Sequence, residues 1–283
     1  MVENRPILNV VTHLVLILGI AMVALPIWIT FVAATHDEAR MLQAPLPLLP
    51  GGYFFENFKQ TFLGSGLSGS ETAPVWRMLL NSLFMALMIA FGKIAISLLS
   101  AFAIVYFKFP FRMGFFWMIF ITLMLPVEVR ILPTFEVVAD LGLLNSYWGL
   151  SIPLIASATA TFMFRQVFLT IPDEMLESAR IDGAKPMRFF VDILIPLSRT
   201  NIAALFVILF IYGWNQYLWP LLITTDTDMT TIVMSIKQML EAAEQSPQWN
   251  IIMMTALLAM IPPVFVVIAM QKLFVQGLTE TDK

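Results

Sequence analysis

Long apolar runs, separated by shorter polar segments, dominate the pattern along this chain of 283 residues. A helix needs about 20 apolar residues to cross the hydrocarbon core of a bilayer, and six runs are long enough. Hydrophobic residues make up 59% of the chain and charged residues 12%, whereas soluble domains have about 45–50% and 25%. The pattern predicts an all-α polytopic membrane protein, with residues 1–283 forming one transmembrane domain. The six predicted transmembrane helices cover approximately residues 12–34, 79–106, 114–133, 147–169, 200–223 and 250–274.

The first apolar run resembles a secretory signal only in its position. Arg5 precedes it, and it extends from about Val10 to Ala34. The apolar core of a signal peptide is usually 7–15 residues long. We therefore expect this run to be kept as a membrane anchor.

Basic residues are distributed unevenly among the polar segments. Short loops rich in lysine and arginine face the cytoplasm in membrane proteins. With a cytoplasmic N-terminus, the inner set is Arg5, Lys108, Arg112, Arg165, Arg180, Lys185, Arg188, Arg199, Lys272 and Lys283, and the outer set is Arg40, Lys59, Arg77 and Lys237. The asymmetry predicts that both termini and the polar segment 170–198 are cytoplasmic.

The composition excludes several kinds of site. The chain has no cysteine and two histidines, so we expect no disulfide, no thiolate site and no histidine zinc site. Its net charge of −3 offers no basic surface for nucleic acid. The phosphate-binding sequence G-x-x-x-x-G-K-S/T is missing from the chain. We therefore expect that this chain binds no metal or cofactor and does not hydrolyse ATP.

The polar segment 170–198 has the sequence signals of two short helices. Pro172 suits a first helical position, and Gly183 suits a helix C-terminus. Pro186 opens a second helix, which Pro196 ends. An apolar stripe at i, i+3, i+4 and i+7 is predicted from Met187, Phe190, Val191 and Leu194. From the residues alone, an interfacial loop that only connects two spans remains an alternative.

The same segment contains Glu177-Ser178-Ala179, then Asp182-Gly183-Ala184, and then Ile193 and Pro196. This run resembles the EAA motif of the membrane subunits of ABC importers. The resemblance implies the MetI-like ABC importer permease fold, in which this loop is a coupling helix seated in a groove of the ATPase subunit. We call residues 170–198 the coupling segment. Ser178 departs from the usual alanine, and Lys185 stands where a capping serine or threonine is common. The predicted ATPase-coupling residues are Glu177, Ser178, Ala179, Asp182, Gly183 and Ala184.

The resemblance covers essentially the whole chain. The stretches "FAIVYFKFPFR" and "QKLFVQGLT" look like the sugar-importer branch of the family. The stretches "MLPVEVRILPTFEVV", "SATATFMFRQVF" and "IYGWNQYLWPLL" look like those members that import sn-glycerol 3-phosphate. This likeness implies that substrate, with glycerophosphodiesters or a sugar as alternatives. It also implies a bacterial inner-membrane location.

The resemblance also implies partners. They are a homologous permease that completes a heterodimer, two copies of an ATPase that uses ATP and Mg²⁺, and an extracytoplasmic substrate-binding protein. The outer segments, residues 35–75 and 224–248, lean acidic. They are either simply solvated or form the docking surface for the binding protein.

Three charged residues lie inside predicted spans, where a charge costs about 2.5–3.5 kcal/mol on insertion scales. Lys93 lies near the middle of the second span, and Glu128 and Arg130 lie near the outer end of the third. All three are candidate residues of the substrate pathway. A phosphate ester is anionic, so the two cations are its candidate contacts. The alternative is that the three residues form structural ion pairs or reach water at a helix end.

The stretch "YGWNQYLWP" is a second polar interruption. Asn215, Gln216 and Tyr217 are candidate residues of the substrate pathway, because a few polar groups among aromatic rings suit a small polyol. The alternative is an interfacial aromatic belt with hydrogen bonds between helices.

Two other function classes fit less well. A secondary transporter driven by an ion gradient often shows internal repeats, and we find no convincing repeat between the halves. A membrane enzyme needs a nucleophile with a base, paired acids or a metal cluster, and Glu128 and Arg130 alone do not form one.

Overall fold

A computed structural model describes residues 6–64, 73–122, 127–244 and 247–279, with the backbone alone given for residues 6, 7, 127, 128 and 274–279. The described residues form helices and connecting turns, without a β-strand. The prediction of an all-α protein is confirmed. The chain divides into two compact units, Met1–Trp76 with Ser235–Met260, and Arg77–Met234 with Ile261–Lys283.

The helices follow one another along the chain with short connections. The α-helices are α1 (Pro6–Ala34), α2 (Glu38–Met41), α3 (Phe54–Leu63), α4 (Val75–Tyr106), α5 (Arg112–Ile121), α6 (Val127–Asp140), α7 (Tyr147–Ser151), α8 (Ala158–Leu169), α9 (Asp173–Ile181), α10 (Pro186–Phe189), α11 (Ile195–Leu197), α12 (Arg199–Trp214), α13 (Leu218–Ile223), α14 (Ile232–Ala242) and α15 (Trp249–Thr279). Two 3₁₀ turns, Ile152–Leu154 and Thr227–Met229, and one π-helical turn, Phe190–Leu194, lie between them.

Three of the described helices are long and apolar enough to cross a membrane: Leu8–Ala34, Val75–Tyr106 and Trp249–Leu273. Two bent pairs qualify if each is one span. They are Tyr147–Leu154 with Ala158–Leu169, bent by 51°, and Pro186–Leu197 with Arg199–Trp214, bent by 75°. The third predicted span, 114–133, falls on α5 and α6, between which residues 123–126 lie outside the described ranges. The layout of six spans therefore stays a prediction.

In the first unit, Asn57 joins the end of α1 to α3 and α15. Its Nδ2 donates hydrogen bonds to the carbonyl oxygens of Ala34, at 2.8 Å, and His36, at 2.7 Å. Asn250 Nδ2 donates to Asn57 Oδ1 at 3.0 Å. The preceding part of α1 is apolar and exposed around its circumference, which suits a lipid environment.

The core of the second unit forms around α4. Apolar side chains of α4, α6, α7, α13 and the 3₁₀ turn Ile152–Leu154 meet there: Met85, Ile89, Ile131, Val138, Leu150, Leu154, Trp219 and Ile223. At Gly213 of α12, an added Cβ would lie 2.9 Å from the Cα of Ala86. The glycine thus lets the α4 and α12 backbones approach closely, as small residues do between membrane helices.

Candidate functional site

The coupling segment begins with α9, a helix of nine residues. Pro172 is its N-cap, so the sequence prediction that Pro172 takes the first helical position is wrong by one residue. Asp173 and Glu174 lie in the first turn, where their charge is favourable to the helix dipole.

The turn between the two helices depends on Gly183. Its φ is +74°, a left-handed conformation that glycine adopts without a steric cost. Its N–H donates to the Arg180 carbonyl at 3.0 Å, and the Ala184 N–H donates to the Ala179 carbonyl at 2.9 Å. This is the pattern of a glycine that closes a helix C-terminus, which confirms the predicted turn.

The second helix differs from its predicted form. It begins with Pro186 but widens to a π-helical turn at Phe190–Leu194, and it continues through Pro196 to Leu197. The extra residue in the widened turn shifts the buried side. The predicted stripe is therefore wrong in part, since Met187 and Val191 are 55% and 51% exposed.

The buried side of the second helix packs on the end of α4. The Phe189 ring lies 5.3 Å from the Tyr106 ring, and the Phe190 ring lies 4.8 Å from the Phe102 ring, measured between centroids. Aromatic pairs at this separation are favourable. The packing ties the coupling segment directly to the central helix of the second unit.

The six predicted coupling residues are divided between an exposed surface and an inner face. Glu177, Ser178, Asp182 and Gly183 are exposed. Ala179 is buried and Ala184 half-buried, and both line a cavity of about 450 Å³ next to Tyr106. The exposed set thus forms a surface that a partner can reach, while Ala179 serves internal packing.

Ile181 is a surface residue that the sequence interpretation passed over. It is 85% exposed at the end of α9, between the exposed residues Glu177 and Asp182. A large apolar side chain among polar neighbours suits a contact with another protein. Its position in the middle of the motif was the signal that could have identified it.

A second cavity brings two of the predicted pathway residues together. It has a volume of about 490 Å³, and both Lys93 and Arg130 line it. We call it the Lys93 cavity. The described residues that line it are Lys93, Ile96, Ser100, Ile119, Thr122, Arg130, Ala156, Ser157, Ala158, Thr159, Thr161, Ile208, Leu209 and Tyr212.

Lys93 is buried, with 7% of its surface exposed. Its Nζ lies 3.8 Å from the centroid of the Tyr212 ring, a cation–π contact. Among the described side chains, no carboxylate forms a salt bridge with Lys93 or Arg130. The backbone of Glu128 lies in α6, but its side chain is outside the described part of the structure. The alternative in which Glu128 forms an ion pair with either cation is therefore untested.

The other predicted pathway residues lie elsewhere. Asn215, Gln216 and Tyr217 connect α12 to α13, and they do not line the Lys93 cavity. Gln216 Nε2 donates to the Tyr212 carbonyl at 3.1 Å, which fits a helix-end role. The structure therefore joins Lys93 with Arg130 and separates both from residues 215–217.

Hydroxyl groups of the Lys93 cavity were missed by the sequence interpretation. Ser157 and Thr161 belong to "SATATF", whose small residues indicated only close helix packing. Thr161 Oγ1 donates to Ser97 Oγ at 3.2 Å, which links α8 to α4. Within the described ranges, no group of three His, Asp or Glu residues is placed to hold a metal ion.

The comparison with known proteins identifies the family. Residues 93–280 match the family of binding-protein-dependent transport system inner membrane components. The chain is 60% identical to the sn-glycerol-3-phosphate transport system permease protein UgpE of Agrobacterium fabrum, and 58% identical to the proteins of that name from Escherichia coli K12 and Brucella melitensis. Each alignment covers 100% of both chains.

Solved structures show the same fold. A chain of a bacterial ABC transporter involved in the import of the acidic polysaccharide alginate has a TM-score of 0.80 at 20% identity, covering 96% of this chain and 98% of that one. A chain of a bacterial alginate ABC transporter in complex with an alginate pentasaccharide-bound periplasmic protein has a TM-score of 0.60 at 15% identity. That alignment covers 93% of this chain and 92% of the other. The ABC importer permease fold implied by the EAA motif is confirmed. The chain belongs to the family of binding-protein-dependent transport system inner membrane components.

Proposed function

We propose that this chain is the transmembrane permease subunit of an ATP-driven importer that moves sn-glycerol 3-phosphate into the cytoplasm. The observation that carries the proposal is the identity of 58–60% along the full length of relatives named as permeases for that substrate. Two cations in one cavity suit an anionic solute. Glycerophosphodiesters and neutral sugars are the competing substrates.

The chain acts with partners that supply substrate and energy. The family is defined by dependence on a binding protein, which supports an extracytoplasmic subunit that delivers the substrate. A homologous permease completes a heterodimer, and two copies of an ATPase subunit hydrolyse ATP with Mg²⁺. This chain is itself not an enzyme, needs no cofactor of its own, and lies in the inner membrane with both termini cytoplasmic.

The coupling segment is the contact with the ATPase. Its exposed surface holds three polar residues of the motif, Glu177, Ser178 and Asp182, beside the apolar Ile181. Its buried aromatic rings are packed on α4, which also carries Lys93. Movement of the ATPase would thus be transmitted to α4, the helix that carries Lys93.

The coupling role is tested with Glu177→Ala in the assembled transporter. Glu177 is exposed, so its replacement should leave folding unchanged but weaken ATPase co-purification and substrate uptake together. Glu174→Ala is the matched control, since Glu174 is an exposed glutamate of the same helix outside the motif. Uptake that persists after the ATPase has been lost would favour a carrier driven by an ion gradient.

A further inference from the structure

The break within one of the two bent helix pairs leaves a helix N-terminus at the Lys93 cavity. The chain turns by 51° between Leu154 and Ala158, and α8 begins there. Ala158 and Thr159, its first two residues, both line the cavity. In membrane proteins, the positive end of a half-helix at such a break is suited to an anionic group.

The capping of α8 leaves two donors unused. Ser157 Oγ accepts a hydrogen bond from the Ala160 N–H at 3.3 Å, and the Ser157 carbonyl accepts from the Thr161 N–H at 3.2 Å. Among the hydrogen bonds between described residues, none uses the N–H of Ala158 or Thr159. The first N–H groups of a helix have no partner within the helix, so these two are available to a ligand.

The cations of the cavity are an independent sign of an anion. Lys93 is more than nine-tenths buried, and among the described side chains its ammonium contacts an uncharged ring and no carboxylate. Arg130 lines the same space, and none of the described lining residues is acidic. A buried charge normally has a counter-charge, because an uncompensated one is costly. An anionic ligand would supply that counter-charge.

We propose that the Lys93 cavity is a subsite for the phosphate group of a phosphate monoester in transit. Lys93, Arg130 and the free N–H groups of Ala158 and Thr159 bind the phosphate oxygens. Ser100, Thr122 and Thr159 also line this cavity, and their side chains carry hydroxyls, which suit the hydroxyls of a small polyol. The inference rests on the proposed import of a phosphate ester.

Tyr212 is the positioning residue of this subsite. Its ring positions the Lys93 ammonium through the cation–π contact. Because the ring has no net charge, it does not neutralise the ammonium. A phosphate group then gains the full attraction of the ammonium. A volume of about 490 Å³ is within the 300–1,000 Å³ of small-molecule sites.

The electrostatic part of the proposal is tested by cysteine labelling, because the chain has no cysteine of its own. Thr159→Cys places one thiol in the cavity of the assembled transporter. Its labelling rates with an anionic sulfonate and a cationic trimethylammonium thiosulfonate reagent are then compared. The ratio of the two rates cancels any change in thiol reactivity.

We expect the anionic reagent to label Thr159→Cys faster than the cationic one. The ratio of the anionic to the cationic labelling rate should fall by about fivefold with Lys93→Met or Arg130→Gln. This is the size that Coulomb's law gives for charges several ångströms apart in water. Lys108→Gln is the matched control, since Lys108 is exposed and lies outside the cavity. A ratio that Lys93→Met and Arg130→Gln leave unchanged would overturn the subsite. Even then, normal uptake of sn-glycerol 3-phosphate by the wild-type transporter in the same cells would still support the proposed function.

The helix N-terminus is tested by Ala158→Pro, which removes one of the two free N–H groups. Proline is tolerated at the first helical position, and Ser157 already has the extended backbone that must precede it. We expect about a tenfold rise in the sn-glycerol 3-phosphate concentration that half-protects Thr159→Cys from labelling, from the loss of a hydrogen bond to a charged group. Ala158→Ser keeps the N–H and should not cause this rise. Equal protection by glycerol and by sn-glycerol 3-phosphate would contradict the proposal.

Discussion

At the scale of single residues, Gly183 gives the sharpest prediction for the coupling segment. An added Cβ would meet no described atom within 4 Å, so the obstacle to a Cβ at this position is the φ of +74°. Gly183→Val should cost about 1–2 kcal/mol, since a branched side chain is strained in the left-handed region. Gly183→Asn should be tolerated, because asparagine enters that region more readily. The amount of ATPase that co-purifies measures the difference. Equal losses of ATPase in both variants would show that the left-handed backbone at Gly183 is not the cause of the loss.

Residue types indicated the charged groups of the site, but not its hydroxyls. Lys93 and Arg130 were conspicuous because charges are rare inside apolar runs. Ser157 and Thr159 were not, since serine and threonine are common between membrane helices. Their role depends on where α8 begins, and no strong sequence signal marks that residue. Tyr212 was missed for a related reason, because its contact with Lys93 joins residues far apart in the sequence.

At the scale of elements, Asn81 connects α4 to the segment between α13 and α14. It is fully buried, and its Nδ2 donates to the carbonyls of Asp228, at 2.9 Å, and Thr230, at 3.0 Å. Its Oδ1 accepts from the Tyr147 hydroxyl at 2.7 Å. The Arg77–Asp228 salt bridge, at 2.9 Å, is exposed to solvent and therefore contributes little to the stability of the second unit.

Asn81→Ala should therefore destabilise the second unit by about 1–3 kcal/mol, because the buried Thr230 carbonyl, the partly buried Asp228 carbonyl and the Tyr147 hydroxyl lose their partner. Tyr147→Phe removes only one of the three hydrogen bonds and should cost about 1 kcal/mol. Thermal unfolding of the purified protein in detergent measures both. A Tyr147→Phe variant that is the less stable of the two would show that the asparagine is not the centre of this connection.

Element boundaries were predicted well where a local signal marks them. Gly183 closes α9 and Pro186 opens α10, as the sequence indicated. The π-helical turn at Phe190–Leu194 could not be predicted, because the aromatic packing of Phe189 and Phe190 on α4 stabilises it and no local residue encodes it. The break after Trp214 was visible as a polar interruption, but its separation from the Lys93 cavity depends on tertiary packing.

At the scale of the whole molecule, the predicted membrane orientation is open to a direct test. The cysteine-free chain allows single cysteines at Ser178 and Thr225, both of which are exposed. We expect a membrane-impermeant thiol reagent to label Thr225→Cys from outside the inner membrane. It should label Ser178→Cys only after permeabilisation, because the distribution of basic residues predicts that the coupling segment is cytoplasmic. The reverse labelling pattern would contradict the predicted orientation of the spans.

We propose that this chain conducts a phosphate ester with energy supplied by a partner ATPase. Uptake would be measured in liposomes that contain the chain with its partner permease and ATPase, with the binding protein outside and ATP inside. We expect accumulation of sn-glycerol 3-phosphate that requires both ATP and this chain. Accumulation driven by an ion gradient without ATP, or accumulation of a neutral sugar with no uptake of the phosphate ester, would contradict it.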